Sequence, residues 1–456
     1  MTERRPQVGP LILYSAAVGA FTGLGAALFV RLLRLVQSLF MGQLLGYLPL
    51  GLPGEGGILQ VFTGPFFWPL AFLIPLLLAL GSWIGTGRGL GYYLQAYRSA
   101  QPIRSLGALR SLAASLLQLS GGSPLGREGP LGTLGLWLGN LIGRRFPLGG
   151  GRYLTFAGLA AGLASAFHAP LAGALLATEI ATPGLSLEVE GLAPALIGSL
   201  AGFTVYGAFL GYGPLLELKA GRFNLSSLVF SFLLSGLLAG LYYLWSTATQ
   251  RLRPPLARLA PYRRHALLGF GLALSLLFLP EALFGGLSWV QLGTSPILSL
   301  DVLITLFLAH FLLVLLASIT RGYGGYFTPA LTLGGLAGLI AGRLLPGLAP
   351  DPATAALLGM GSLLAGVGPA PFAAVVLVSE VGGYQLLPLI LPAAFFMYAL
   401  TQGLAGLDTV RGMNGREAAP TGSAPHSEHQ PKRQGEPGSP ETPQAPDPNR
   451  KTPDKP

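Results

Sequence analysis

Along the first 410 residues, apolar runs follow one another with only short polar interruptions. They lie near 10–40, 61–86, 107–121, 130–144, 152–167, 170–181, 190–212, 224–250, 264–281, 295–318, 328–345, 354–366, 370–382 and 386–406. The runs lack period-two alternation and are rich in Leu, Ala and Gly, so they predict helices rather than strands. Several reach the roughly 20 residues that a spanning helix needs, while many hold only about 11 to 15. Short apolar runs punctuated by Gly and Pro predict half-spanning or broken helices, tolerated where irregular backbone is buried or lines a cavity. From Gly412 onward the pattern stops: the remaining residues hold ten prolines and no aromatic side chain. Such a segment cannot bury enough apolar surface to order itself, which predicts a membrane domain over 1–410 and a disordered cytoplasmic tail over 411–456.

Sliding the chain on itself exposes an internal repeat. At an offset of 199, Gly126-Arg127-Glu128-Gly129-Pro130 lies over Gly325-Tyr326-Phe327-Thr328-Pro329, and nine of the 22 positions from Gly126 to Pro147 are identical in the two copies. At an offset of 201, Gly158 lies over Gly359, Ala169-Pro170 over Ala370-Pro371 and Glu179 over Glu380. Two halves, about 1–212 and 224–410, with broken helices at matching places predict an all-α polytopic fold of two inverted repeats around a midplane site.

Composition sharpens this picture. Of 456 residues, 51% are hydrophobic and 10% charged, and the mean hydropathy is +0.59. Soluble domains carry about 25% charged residues, so lipid must cover much of this chain. The net charge of +10 does not indicate nucleic acid. The tail is nearly balanced, and the remaining cations are mostly arginines at the ends of apolar runs, where they fix topology and meet phosphate headgroups. The N-terminal MTERRPQVGP is short and basic and precedes a run too long for a cleaved signal, so a retained first helix, cytoplasmic termini and residence in the cell's inner (plasma) membrane are expected. There is no cysteine, which removes disulfides and thiolate chemistry. No cofactor or metal is expected.

In each half the repeated Gly-x-x-x-Pro opens a helical run, with glycine permitting a tight entry and proline in the first turn wasting no donor. Each unit therefore presents free N–H groups and about half a positive charge inside the membrane. Two such ends make an anion site that needs no fully charged side chain. Glu128 lies in the first of them. An intramembrane carboxylate is costly and by default functional. Being itself an anion, it can occupy a helix-end site and compete with the transported ion, which makes it a gate; the plainer alternative is a first-turn glutamate that only complements the helix dipole.

Here the sequence resembles the CLC family of chloride channels and anion/proton exchangers. Gly126 to Pro130 reads as its GREGP motif and Gly325 to Pro329 as its G-x-F-x-P motif. Gly162 to Gly173, and Tyr384-Gln385 with Leu389 to Pro392, resemble further family segments. The resemblance implies a homodimer with one pore per subunit, Glu128 as the external gate, and backbone amides at Tyr326 and Phe327 on the anion. The candidate anion-binding positions are Arg88, Gly89, Arg127, Gly129, Tyr326 and Phe327.

The departures carry expectations of their own. Where the family has Gly-Ser-Gly-x-Pro, this chain has Gly87-Arg88-Gly89-Leu90-Gly91, so a pore hydroxyl is replaced by Arg88. A guanidinium facing the pore favours bidentate oxyanions such as bicarbonate or nitrate; one turned to water or headgroups only sets topology. Exchangers carry a second glutamate directly after the position of Glu179, and here it is Ile180, a lost proton-relay position. The family's late pore tyrosine falls near Val410. Glu179 and Glu380 are read as satisfied structural carboxylates, His168 as a structural hydrogen-bonder, and Arg127 also as a brace for the helix entry. The expected function is transport of small anions (chloride, and bicarbonate, nitrate or fluoride as alternatives), channel- or uniporter-like with weak or no proton coupling. Exchange by another proton route, through Glu179 or water, is the second reading. An intramembrane enzyme acting on lipid phosphates through Glu128, His168 and Arg127 is a distant one, since no nucleophile–base or metal-ligand pair accompanies the glutamate.

Overall fold

The computed structural model describes residues 8–47, 68–85, 87–99, 101–145, 151–181, 189–221 and 224–403. The tail expected over 411–456, the residues before Val8, and Val410 lie outside the described residues. Helices dominate, and the first half holds α1 (Val8–Gln37), α2 (Leu73–Ile84), α3 (Leu90–Arg98), α4 (Ser105–Ser120), α5 (Glu128–Gly143), α6 (Gly151–Phe167), α7 (Pro170–Ala181) and α8 (Val189–Leu210). The second holds α9 (Leu225–Ala257), α10 (Pro261–Phe278), α11 (Leu287–Gly293), α12 (Leu300–Thr320), α13 (Phe327–Leu344), α14 (Pro352–Val367), α15 (Pro371–Gly382) and α16 (Leu387–Gly403).

Among the described residues, six helical stretches are long and apolar enough to cross a membrane: Val8–Leu44, Val189–Leu210, Leu225–Ala257, Leu300–Thr320, Phe327–Leu344 and Tyr384–Gln402. Pro170–Ala181, Pro352–Val367 and Pro371–Gly382 are apolar but shorter. Long apolar side chains such as Leu13, Leu28, Trp83, Leu237 and Leu312 stand on the outside. A surface of that kind is stable against hydrocarbon and not against water. The chain is a multi-pass membrane protein.

The repeat in the sequence is a repeat in space. In the first half α1, α6 and α8 pack on one another, and α5 packs on α6; in the second, α9, α14 and α16 pack together, and α13 on α14. The repeated glycines explain how. A Cβ on Gly135 would collide with the carbonyl of Gly158, and one on Gly334 with the carbonyl of Gly359. The same glycine pair thus closes the same helix crossing in each half, as small residues do in membranes, where close packing replaces the hydrophobic drive.

Local chemistry sets the helix ends. Asn224 caps α9, its side chain accepting from the Ser227 amide at 3.1 Å while the Ser227 hydroxyl accepts from the Asn224 amide. Asp351 caps α14 by accepting from the Thr354 amide at 3.1 Å. Helix α9 continues through Pro254 and Pro255 to Ala257, seven residues beyond the apolar run that marks it. Two short helices, α3 and α11, have no counterpart in the apolar pattern; their nine and seven residues are too few to show a period.

Candidate functional site: two facing helix ends and a buried carboxylate

The two Gly-x-x-x-Pro segments meet. Gly126 donates its amide to the Gly325 carbonyl at 2.9 Å, and Gly325 donates back to Gly126 at 2.8 Å. This antiparallel bridge ties the loop before α5 to the loop before α13. Close approach requires the glycines: a Cβ on Gly129 would strike the backbone of Gly324 and Gly325. Gly126 and Gly325, partners at offset 199 in the sequence, are therefore hydrogen-bonded partners in space.

The Glu128 side chain crosses this bridge and is fully buried. Its Oε1 accepts from the Phe327 amide and the Thr328 amide, both at 2.9 Å. Its Oε2 accepts from the Thr328 hydroxyl at 2.7 Å. The carboxylate from the start of α5 thus sits on the N-terminus of α13, where the orphan N–H groups of a helix hold an anion. Hydrogen bonds to a charged group contribute about 1.5–3 kcal/mol each, so three of them make this a well-held position. Phe327 is where the sequence reading placed an amide donor. Thr328, which supplies two of the three donors, was not anticipated; its place inside the second motif, directly over Gly129 in the repeat, was the available signal.

The remaining predicted site residues are distributed around this centre. Arg127 donates through Nε and Nη2 to the Ala166 carbonyl at 3.3 and 3.1 Å, bracing the end of α6 against the start of α5. Tyr326 is buried against Trp245, with ring centroids 6.2 Å apart. Gly89 precedes α3 in extended conformation. Arg88 is half-buried, and its guanidinium lies 4.4 Å from the ring centroid of Tyr92, one turn along α3. A flat cation on an aromatic face keeps its N–H edge available while shedding part of its hydration. The Arg88 loop is joined to the second motif by Tyr323, whose hydroxyl accepts from the Gly87 amide at 2.5 Å and whose amide donates to Gln118 Oε1 at 2.7 Å. Tyr323 also went unanticipated.

A second, more symmetric exchange of carboxylates lies between α7 and α15. Glu179 on α7 accepts from the Phe372 and Ala373 amides at the start of α15, at 3.2 and 2.9 Å. Glu380 on α15 accepts from the Leu171 and Ala172 amides at the start of α7, at 3.1 and 2.7 Å. Each half-helix carries the anion that caps its symmetry mate. Ile180 is buried, and its carbonyl and that of Ala181 accept from Arg98 at 2.5 and 3.0 Å. His168 has a positive φ of 55°, and its Nδ1 contacts the Gly213 carbonyl at 2.8 Å, which fits a structural hydrogen-bonder.

A fold of paired half-helices with a carboxylate on a facing helix end narrows the families that fit. Residues 70–402 match the family described as Voltage gated chloride channel. The chain belongs to this family, the CLC proteins. Among curated relatives, the H(+)/Cl(-) exchange transporter ClcA of Salmonella arizonae is 29% identical over 408 residues, covering 84% of this chain and 83% of the relative. ClcA of Salmonella paratyphi B is 28% identical over 407 residues, with the same coverage. The fold is similar to the crystal structure of a slow cyanobacterial Cl-/H+ antiporter, with a TM-score of 0.77 and 24% identity over 89% of this chain and 97% of that one. It is also similar to a CLC-type fluoride/proton antiporter, with a TM-score of 0.71 and 19% identity over 86% and 95% of the two chains. CLC proteins are transporters and channels, so the enzyme reading falls, and CLC-type anion transport is what this membrane domain performs.

Proposed function

We propose that this CLC protein moves chloride-like anions along a path gated by Glu128, functioning as a homodimer with one path per subunit. The observation that carries the reading is the Glu128 carboxylate on the Phe327 and Thr328 donors. An anion can take that place only when the carboxylate leaves, and it then meets the Phe327 and Thr328 amides. Partial charges of this kind hold an ion strongly enough to select it and weakly enough to release it. Protonation of Glu128 cancels the charge those donors favour and frees the site.

The finer reading is transport with weak or no proton coupling. Ile180 has no group that can carry a proton, and both oxygens of neighbouring Glu179 are held by the α15 amides. The exchanger names of the ClcA relatives favour a second reading, in which protons reach Glu128 by another route. Purified protein in sealed liposomes with an imposed chloride gradient separates the two. Chloride efflux with little uphill proton movement supports weak coupling. A fixed-ratio proton flux establishes exchange, and its loss in Glu179→Gln would assign Glu179 as the relay.

A further inference from the structure

Helix α9 leaves its apolar span on a run of cations: Arg251, Arg253, Arg258, Arg263 and Arg264 fall within fourteen residues, reaching into the first turn of α10. No Asp or Glu occurs between Leu218 and Pro280. Arg251, Arg258 and Arg263 are exposed, and none of the three forms an ion pair among the described residues. One or two cations suffice to complement the carbonyl end of a helix; five in a stretch without acids exceed that need. Between them Leu252, Leu259 and Tyr262 are exposed as well. Apolar and tyrosine side chains interleaved with arginines at the end of a membrane helix fit the boundary between hydrocarbon and headgroups.

The start of α10, which carries Arg263 and Arg264, touches the loops of the site. His265, adjacent to Arg264, places Nδ1 2.8 Å from the Pro261 carbonyl and Nε2 3.0 Å from the Arg321 carbonyl. Its ring lies on Tyr323, with centroids 5.3 Å apart. Tyr323 holds the Gly87 amide beside Arg88 and stands two residues before Gly325, the partner of Gly126. One buried imidazole and one tyrosine thus join the start of α10 to both loops of the site.

We propose that Arg251, Arg258 and Arg263 form a binding site for anionic phospholipid headgroups, and that its occupancy raises the transport rate through His265 and Tyr323. Each arginine near an anionic headgroup changes affinity roughly fivefold, so three together give about a hundredfold. The test uses the full chain in detergent, with phosphatidylglycerol and phosphatidylcholine titrated and bound lipid read by native mass spectrometry. The Arg251→Gln, Arg258→Gln, Arg263→Gln triple variant is expected to bind phosphatidylglycerol about a hundredfold more weakly and phosphatidylcholine as before. Lysine at the same positions should restore most of the binding, which separates lost charge from lost fold. In liposomes, phosphatidylglycerol should accelerate chloride flux in the unaltered protein and not in the triple variant. Undiminished phosphatidylglycerol binding by that variant, displacement of the lipid by millimolar inorganic phosphate, or equal flux acceleration in both proteins would overturn the proposal.

Discussion

At the scale of single residues, the site rests on donors that few side chains can replace. Thr328 gives Glu128 both an amide and a hydroxyl. Thr328→Val keeps the shape and the amide but removes the hydroxyl donor. The loss of about 1.5–3 kcal/mol from the carboxylate-bound state should raise the carboxylate-free population by tenfold or more. Chloride flux at neutral pH should rise accordingly, as measured by efflux from liposomes; unaltered flux would mean that the hydroxyl does not hold the carboxylate in place. Arg88 offers a second test at this scale. Stacked on Tyr92, its guanidinium keeps a planar donor edge that suits nitrate or bicarbonate better than a spherical halide. Arg88→Ser should raise chloride flux and lower the nitrate-to-chloride permeation ratio. If rate and ratio both stay where they are, the guanidinium lies off the anion path and serves topology alone.

At the scale of elements, the half-helices are held by each other's carboxylates. Glu179 and Glu380 each satisfy two orphan amides at the opposite helix start, and each meets the positive end of that helix's dipole. The two sites are near-copies, so Glu179→Ala and Glu380→Ala should destabilise the purified protein to a similar extent, by about 1–3 kcal/mol each. Thermal melting in detergent measures this, and a large inequality would show that one of the two does more than cap. Both residues were legible in the sequence because the repeat aligned them, and the helix-end chemistry of Glu128 was legible from Gly-x-x-x-Pro with a carboxylate inside it. Helices α3 and α11 were not, because so few residues show no period. Nor was Tyr323: nothing in a lone hydroxyl tells that it will meet an amide 236 residues away, whereas Thr328 could have been found from its place inside the second motif, over Gly129 in the repeat.

At the scale of the whole molecule, the inverted repeat puts two helix starts face to face and fills one of them with the protein's own anion. The first 410 residues announce this through small residues and prolines at matching positions. The side-chain traffic across the centre depends on three-dimensional pairing that no periodicity encodes. In the proposed mechanism the Glu128 carboxylate and the transported anion compete for the start of α13. The charged form of Glu128 is the one its three donors favour, so falling pH should protonate it, release it and increase flux. The most direct measurement is chloride flux from liposomes, with internal pH recorded, across a series of pH values for the unaltered protein and for Glu128→Gln. Flux in the unaltered protein should climb as pH falls, while Glu128→Gln, which neither competes as an anion nor titrates, should run at a high rate nearly independent of pH. The same rate and the same pH profile in both proteins would contradict the account.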